Sequence, residues 1–140
     1  MATGYAGDVT PEEAWKMLQE ETGAVLVDVR SQPEWNYVGL PDLTELGRKP
    51  VLVQWQVFPT MAQNPAFAEE LKANGIGPDQ PVLFLCRSGV RSLAAAQAMT
   101  AQGFARCYNI SGGFEGPLDE QKHRGRLAGW KASGLPWQQG

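Results

Sequence analysis

Histidine and cysteine are nearly missing from this chain of 140 residues: His123 stands alone, and the only thiols are Cys86 and Cys107. The two cysteines form no Cys-x-x-Cys pair, and one histidine cannot complete a metal shell with them, so no metal site and no other cofactor is expected. Basic residues are not in excess. Twelve Lys and Arg face fifteen Asp and Glu, a net charge of −3, which argues against a nucleic-acid partner. No apolar run approaches the roughly 20 residues of a membrane span, so no membrane partner is expected either. Met1 to Asp8 has neither a basic stretch nor an apolar one and does not read as a signal peptide. Internal repeats, low-complexity runs and linkers are lacking as well. These absences leave a soluble, cytoplasmic domain covering 1–140, long enough to bury a core without staples. In that reducing setting a thiol is more suited to chemistry than to cross-linking.

What is present alternates between helix and strand signals. Thr10-Pro11-Glu12-Glu13 has an N-cap, a proline at the first helical position and the closing Glu of a capping box. Ala14, Trp15, Met17 and Leu18 give that helix its apolar stripe, and Gly23 ends it. Ala24 to Val29 is almost wholly apolar and β-branched, the mark of a strand buried on both faces. Ser31-Gln32-Pro33-Glu34 starts a second, short helix. Residues 39–50 read as loop, Val51 to Trp55 as strand, and Phe58 to Asn64 as irregular. Asn64-Pro65 opens a helix through Phe67 and Leu71 that closes at Asn74-Gly75. Val82 to Leu85 is a strand, followed by a helix from Leu93 to about Gln102. Arg106 to Ile110 reads as the last strand, and the tail as loop with a short helix around Arg126–Ala132. The alternation predicts an α/β fold: an open, mainly parallel central sheet with helices on both faces. Ligands bind such sheets beyond the carboxyl ends of the strands.

Cys86 lies at one of those ends. Cys86-Arg87-Ser88-Gly89-Val90-Arg91-Ser92 joins an apolar strand to a helix N-terminus. Unpaired N–H groups and the positive end of the helix dipole gather there. Gly89 permits a tight turn with positive φ. Arg87 and Arg91 are permanent charges able to fork onto oxyanions, and Ser88 and Ser92 add hydroxyl donors. Such surroundings favour thiolate over thiol and cradle a small anion without any histidine base. Cys86 is the expected nucleophile, with Arg87, Ser88, Gly89, Val90, Arg91 and Ser92 as the substrate-binding loop.

The loop Cys86-Arg87-Ser88-Gly89-Val90-Arg91 resembles the active-site loop of the rhodanese (thiosulfate sulfurtransferase) family. Val27-Asp28-Val29-Arg30 is similar to that family's early Asp-x-Arg signature. Ile110-Ser111-Gly112-Gly113 and Gly129 to Pro136 are similar to its C-terminal region. The resemblance implies a rhodanese fold and a Cys86 persulfide. The persulfide would be loaded from a small anionic donor, thiosulfate or another persulfide, and unloaded onto cyanide or a thiol. Two departures stand out. Trp35 to Asp42 replaces the family's His-Ile-Pro-Gly-Ala-like stretch, and the long segment from Phe114 to Gly129 precedes Trp130. Four residues separate Cys86 from Arg91; the related dual-specificity cell-cycle phosphatases insert one more, giving a loop wide enough for phosphate. The tighter ring here suits one sulfur atom at its centre and favours sulfur transfer; a phosphatase or arsenate reductase is one alternative, and a non-catalytic anion- or partner-binding module another.

Plainer roles suit the remaining residues. Cys107 sits at the start of a strand without a glycine- and arginine-rich loop like that of Cys86 and reads as structural. Asp28 and Arg30 read as an ion pair steadying the loop from behind rather than as catalytic groups. His123 reads as a solvated surface residue, and Lys122, Arg124 and Arg126 as a solvated face that would otherwise form a flap beside the loop. Trp55 and Phe58 suit the core and the mouth of the pocket equally.

Overall fold

A computed structural model describes residues 4–139. Met1 to Thr3, part of the segment read as carrying no leader, therefore lie outside the described residues, as does Gly140. The chain runs β1 (Gly7–Val9), α1 (Pro11–Glu20), β2 (Val25–Asp28), α2 (Gln32–Tyr37), β3 (Leu40–Pro41), β4 (Val51–Leu52), β5 (Gln56–Val57), β6 (Ala62–Gln63), α3 (Phe67–Ala73), β7 (Val82–Leu85), α4 (Val90–Ala101), β8 (Cys107–Ile110) and β9 (Trp137–Gln138). The central sheet has the order β1-β8-β7-β2-β4. Each of its four pairings is parallel.

Side-chain alternation along the inner strands explains the two-sided burial. Leu26 on β2, and Leu83 and Leu85 on β7, point to one core with Ala14 and Leu18 of α1, Ile110, Phe114 and Trp130. Val27, Val82 and Phe84 point to the other, against Phe67 and Leu71 of α3 and Ala95, Ala96 and Met99 of α4. Cys86 continues the second row. All four residues of β7 are buried, as expected of a strand covered on both faces. At the start of α1 the capping box is complete: Thr10 Oγ1 accepts from Glu13 N–H and the Glu13 carboxylate accepts from Thr10 N–H.

Several sequence expectations are corrected. β1 precedes α1, and β9 follows the strand read as last. β1 is three residues long, too short for a period to show. The expected loop 39–50 contains β3, which pairs antiparallel with β9, and a 3-10 turn over Thr44–Leu46. The strand read over 51–55 is regular only at Val51–Leu52, although Val53 N–H and Trp55 N–H still donate to Asp28 and Val29 carbonyls. The irregular 58–64 stretch holds half of a small hairpin, β5–β6. No helix forms over Arg126–Ala132; that segment is a series of turns. Gly125 and Gly129 adopt φ of +84° and +105°, outside the right-handed helical region, and Gly129 sits against the backbone of Gly112, Gly113 and Gly116.

Candidate active site

Gly89 shapes the loop. Its φ of +110° turns the chain back so that its own N–H donates to Cys86 Sγ at 3.1 Å. Ser92, in the first turn of α4, brings Oγ to 3.2 Å from the same sulfur. The carbonyls on the loop's outer side are held by the segment after β8. Phe114 N–H donates to the Cys86 carbonyl at 2.8 Å, and Glu115 and Gly116 N–H both donate to Arg87. With the C=O groups drawn outward, the loop presents N–H to the sulfur. Cys86 itself is 1% exposed.

Arg91 forks onto a carboxylate of this chain. Its Nη1 and Nη2 donate to Glu34 Oε1 and Oε2 at 2.7 and 2.9 Å. Glu34 Oε1 also accepts from the N–H and hydroxyl of Ser31, the N-cap of α2. Burial works against the Glu34 charge, but these hydrogen bonds prevail and hold its carboxyl down to about 2. The sequence flagged Glu34 only as a helix-start residue; its partner lies 57 positions away, which no local pattern reveals. Arg87, by contrast, is exposed, and no carboxylate pairs with it among the described residues.

Asp28 and Arg30 are both 0% exposed and form a forked pair, with Nε–Oδ1 at 2.9 Å and Nη2–Oδ2 at 2.7 Å. Arg30 Nη2 also donates to the Gly39 carbonyl, and its guanidinium lies 4.3 Å from the centre of the Phe114 ring. Phe114 in turn holds the Cys86 carbonyl. The pair is thus connected to the loop through one aromatic residue and touches no part of the sulfur.

A cavity of about 450 Å³ opens beside the loop, lined by Glu34, Val38, Gln56, Met61, Arg87, Arg91, Glu115 and Arg124. Arg124 therefore reaches the site, braced by a bond from Nη1 to the Gly116 carbonyl. Lys122, His123 and Arg126 do not line it and are exposed. Ser88 lines a separate depression with Thr10 and Ser111, and Val90 projects into solvent at 75% exposure. Trp55 belongs to the core, edge-on to Phe67 at 5.0 Å, while Phe58 is exposed on a neighbouring cleft with Pro33 and Tyr37. Cys107 is buried under α4, where burial pushes its thiol up. Among the described residues no group of three His, Cys, Asp or Glu is placed to hold a metal ion. Among the described residues no helix is long and apolar enough to cross a membrane. Asn109 and Asp8, which extend the contacts of Ser92, were not singled out from the sequence; a polar residue inside the apolar strand around Ile110 was the available signal.

Comparison with known proteins places this geometry in company. The family model described as the STR4 middle domain matches residues 6–140. The crystal structure of Rv0390 from M. tuberculosis superposes with a TM-score of 0.87 at 49% identity, covering 97% of this chain and 99% of that one. Thiosulfate sulfurtransferase GlpE of Actinobacillus pleuropneumoniae is 29% identical over 129 residues, 92% of this chain and 90% of the relative. A rhodanese-like domain protein from Staphylococcus aureus shares the fold, with a TM-score of 0.56 at 21% identity over 77% of this chain and 87% of that one.

Proposed function

From the premise that the chain belongs to the STR4 middle-domain family and has a rhodanese-like fold, we propose that it is a sulfurtransferase working through a Cys86 persulfide. The Cys86 thiolate attacks the outer sulfur of thiosulfate or a similar anionic donor. A Cys86 S–S bond forms, the donor's S–S bond breaks, and sulfite leaves with the electron pair. A thiol or cyanide acceptor then attacks the terminal sulfur, and the pair returns to Cys86 as thiolate. Gly89 N–H, donating to Sγ at 3.1 Å, supports charge on that sulfur at both ends of the cycle. Arg87 and Arg124 on the cavity wall suit the sulfonate end of the donor. The reading extends to a single domain acting in the cytoplasm.

The observation that carries this reading is the clasp of Arg91 by Glu34. Phosphate or arsenate chemistry needs a free guanidinium fork over the anion; here both terminal nitrogens already hold a carboxylate. A loop braced in that way suits one transferred sulfur atom at its centre, with the oxyanion end of the donor left to Arg87 and Arg124 on the cavity wall.

Intact mass after thiosulfate treatment tests the proposal. The wild type gains one sulfur atom, Cys107→Ser gains it equally, and Cys86→Ser gains none. A wild-type chain that gains nothing would put the non-catalytic binding module ahead.

A further inference from the structure

Behind the sulfur runs a hydrogen-bonded row that the transfer chemistry does not use. Ser92 Oγ lies 2.6 Å from Asn109 Oδ1 and 3.2 Å from Cys86 Sγ. Ser92 is 0% exposed and Asn109 is 6% exposed. Asn109 Nδ2 donates to Asp8 Oδ1 at 3.1 Å, and Tyr5 O–H donates to that same oxygen at 2.9 Å. The register of the sheet makes this row: Asp8 of β1 stands directly beside Asn109 of β8.

A hydroxyl has one proton to give. A carboxylate only accepts, so Asp8 turns the amide with Nδ2 toward itself and Oδ1 toward Ser92. That Oδ1 also only accepts, so at 2.6 Å it takes the Ser92 proton. Ser92 then shows the sulfur a lone pair. A lone pair there accepts a hydrogen bond from an S–H group and opposes a negative sulfur; Gly89 N–H acts in the contrary sense.

We propose that Asp8 and Asn109 are positioning residues that hold the Ser92 hydroxyl in its acceptor setting and so restrain the ionisation of Cys86. The inference rests on Cys86 being the transfer nucleophile. On ionisation the S–H bond breaks, the electron pair stays on sulfur, and the proton passes to solvent. The Ser92 O–H then rotates from Asn109 to Sγ, and the carboxamide gives up its partner. The charged groups around the thiol are Arg87 and Arg91 from the loop and α4, Glu34 from α2, the Asp28–Arg30 pair from the end of β2, and Glu115 and Arg124 from the segment after β8. None of them hydrogen-bonds to Ser92 Oγ, so they bear on both hydroxyl settings.

The experiment is the pH profile of Cys86 alkylation by iodoacetamide in the full chain, in a Cys107→Ser background so that one thiol reports. Asn109→Ala frees the hydroxyl to serve the sulfur. The midpoint of the profile moves to lower pH, and the rate below the midpoint rises about three- to tenfold, the worth of one redirected hydrogen bond. Asp8→Ala, on an exposed position of an edge strand, lets the amide turn over and moves the midpoint the same way; it decides the matter should Asn109→Ala fail to fold. Both shifts vanish when Ser92→Ala is added, whereas a direct effect of the Asp8 charge would survive. An unmoved or raised midpoint in Asp8→Ala, or a shift that persists without Ser92, overturns the proposal. Alkylation needs no sulfur donor, so a wild type that took no sulfur from thiosulfate would defeat the sulfurtransferase reading and leave this result to be judged on its own.

Discussion

Glu34 shows how one residue serves two ends of the site. It closes the capping box of α2 through Ser31 and clasps Arg91 from the first turn of α4. Its side chain is 19% exposed, so the pair keeps much of its strength against solvent. Because the folded value, about 2, lies below the ordinary 4.5, the stabilisation is complete above that ordinary value and is lost as the pH falls through the range between the two. Glu34→Gln is therefore expected to cost about 1.5–3 kcal/mol at neutral pH, the worth of hydrogen bonds to a charged group. Urea denaturation at a series of pH values checks it: the gap between wild type and variant closes as the pH falls from 4.5 toward 2. A gap that stayed constant would mean that the Glu34 charge contributes nothing. None of this coupling is local, which is why the sequence shows Arg91 as a free fork and Glu34 as a cap.

At the scale of elements, the loop and the segment after β8 are shaped against each other. Gly113 has φ of +62°, and a Cβ there would fall 2.5 Å from the Cys86 carbonyl oxygen. Gly75 has φ of +80° but open space around it. Gly75→Ala should therefore cost only the left-handed strain of about 1–2 kcal/mol and leave sulfur transfer intact. Gly113→Ala should cost more and also lower transfer at least about tenfold, because displacing the loop by a fraction of an ångström misplaces the sulfur. Melting curves paired with a thiosulfate:cyanide assay separate the two effects; equal activities in the two variants would show that Gly113 does not set the loop. Elements with strong local signals were legible beforehand. The capping box at Thr10, the apolar run of β7 and the glycine after α4 each state their own structure. The tail was not legible: residues 126–132 have helix-compatible side chains, and what prevents the helix is the contact of Gly129 with glycines far back in the chain.

For the whole molecule, Trp130 ties the C-terminal segment to the core that faces α1. It is 0% exposed, packs edge-on to Trp15 at 5.9 Å, and donates from Nε1 to the Pro136 carbonyl at 2.6 Å. Its backbone N–H is held by Gly113, next to the residue that holds Cys86. Truncation to alanine should cost about 3–5 kcal/mol, lowering the melting temperature by roughly 10–17 °C. Leu127→Ala, in the same segment but 64% exposed, should stay within about 0.5 kcal/mol of wild type. Calorimetry on the two variants checks the contrast, and equal melting points would mean that the segment is not anchored through Trp130. The loop is legible in the sequence by itself, whereas the segment that holds its carbonyls is tied to the core only through long-range contacts such as Trp130 N–H to Gly113.

The pairing of β1 with β8 also sets an order of events during synthesis. Gly7, Asp8 and Val9 are made about 100 residues before their partners Tyr108, Asn109 and Ile110, a wait of roughly 5–20 s at ordinary elongation rates. β2 and β7 stand closer together in the sequence, so their pairing closes a shorter loop than that of β1 with β8. The thiol loop is therefore translated before the strand that joins it to Asp8, and the closure of this sheet edge is a long-range contact of the kind that slows folding.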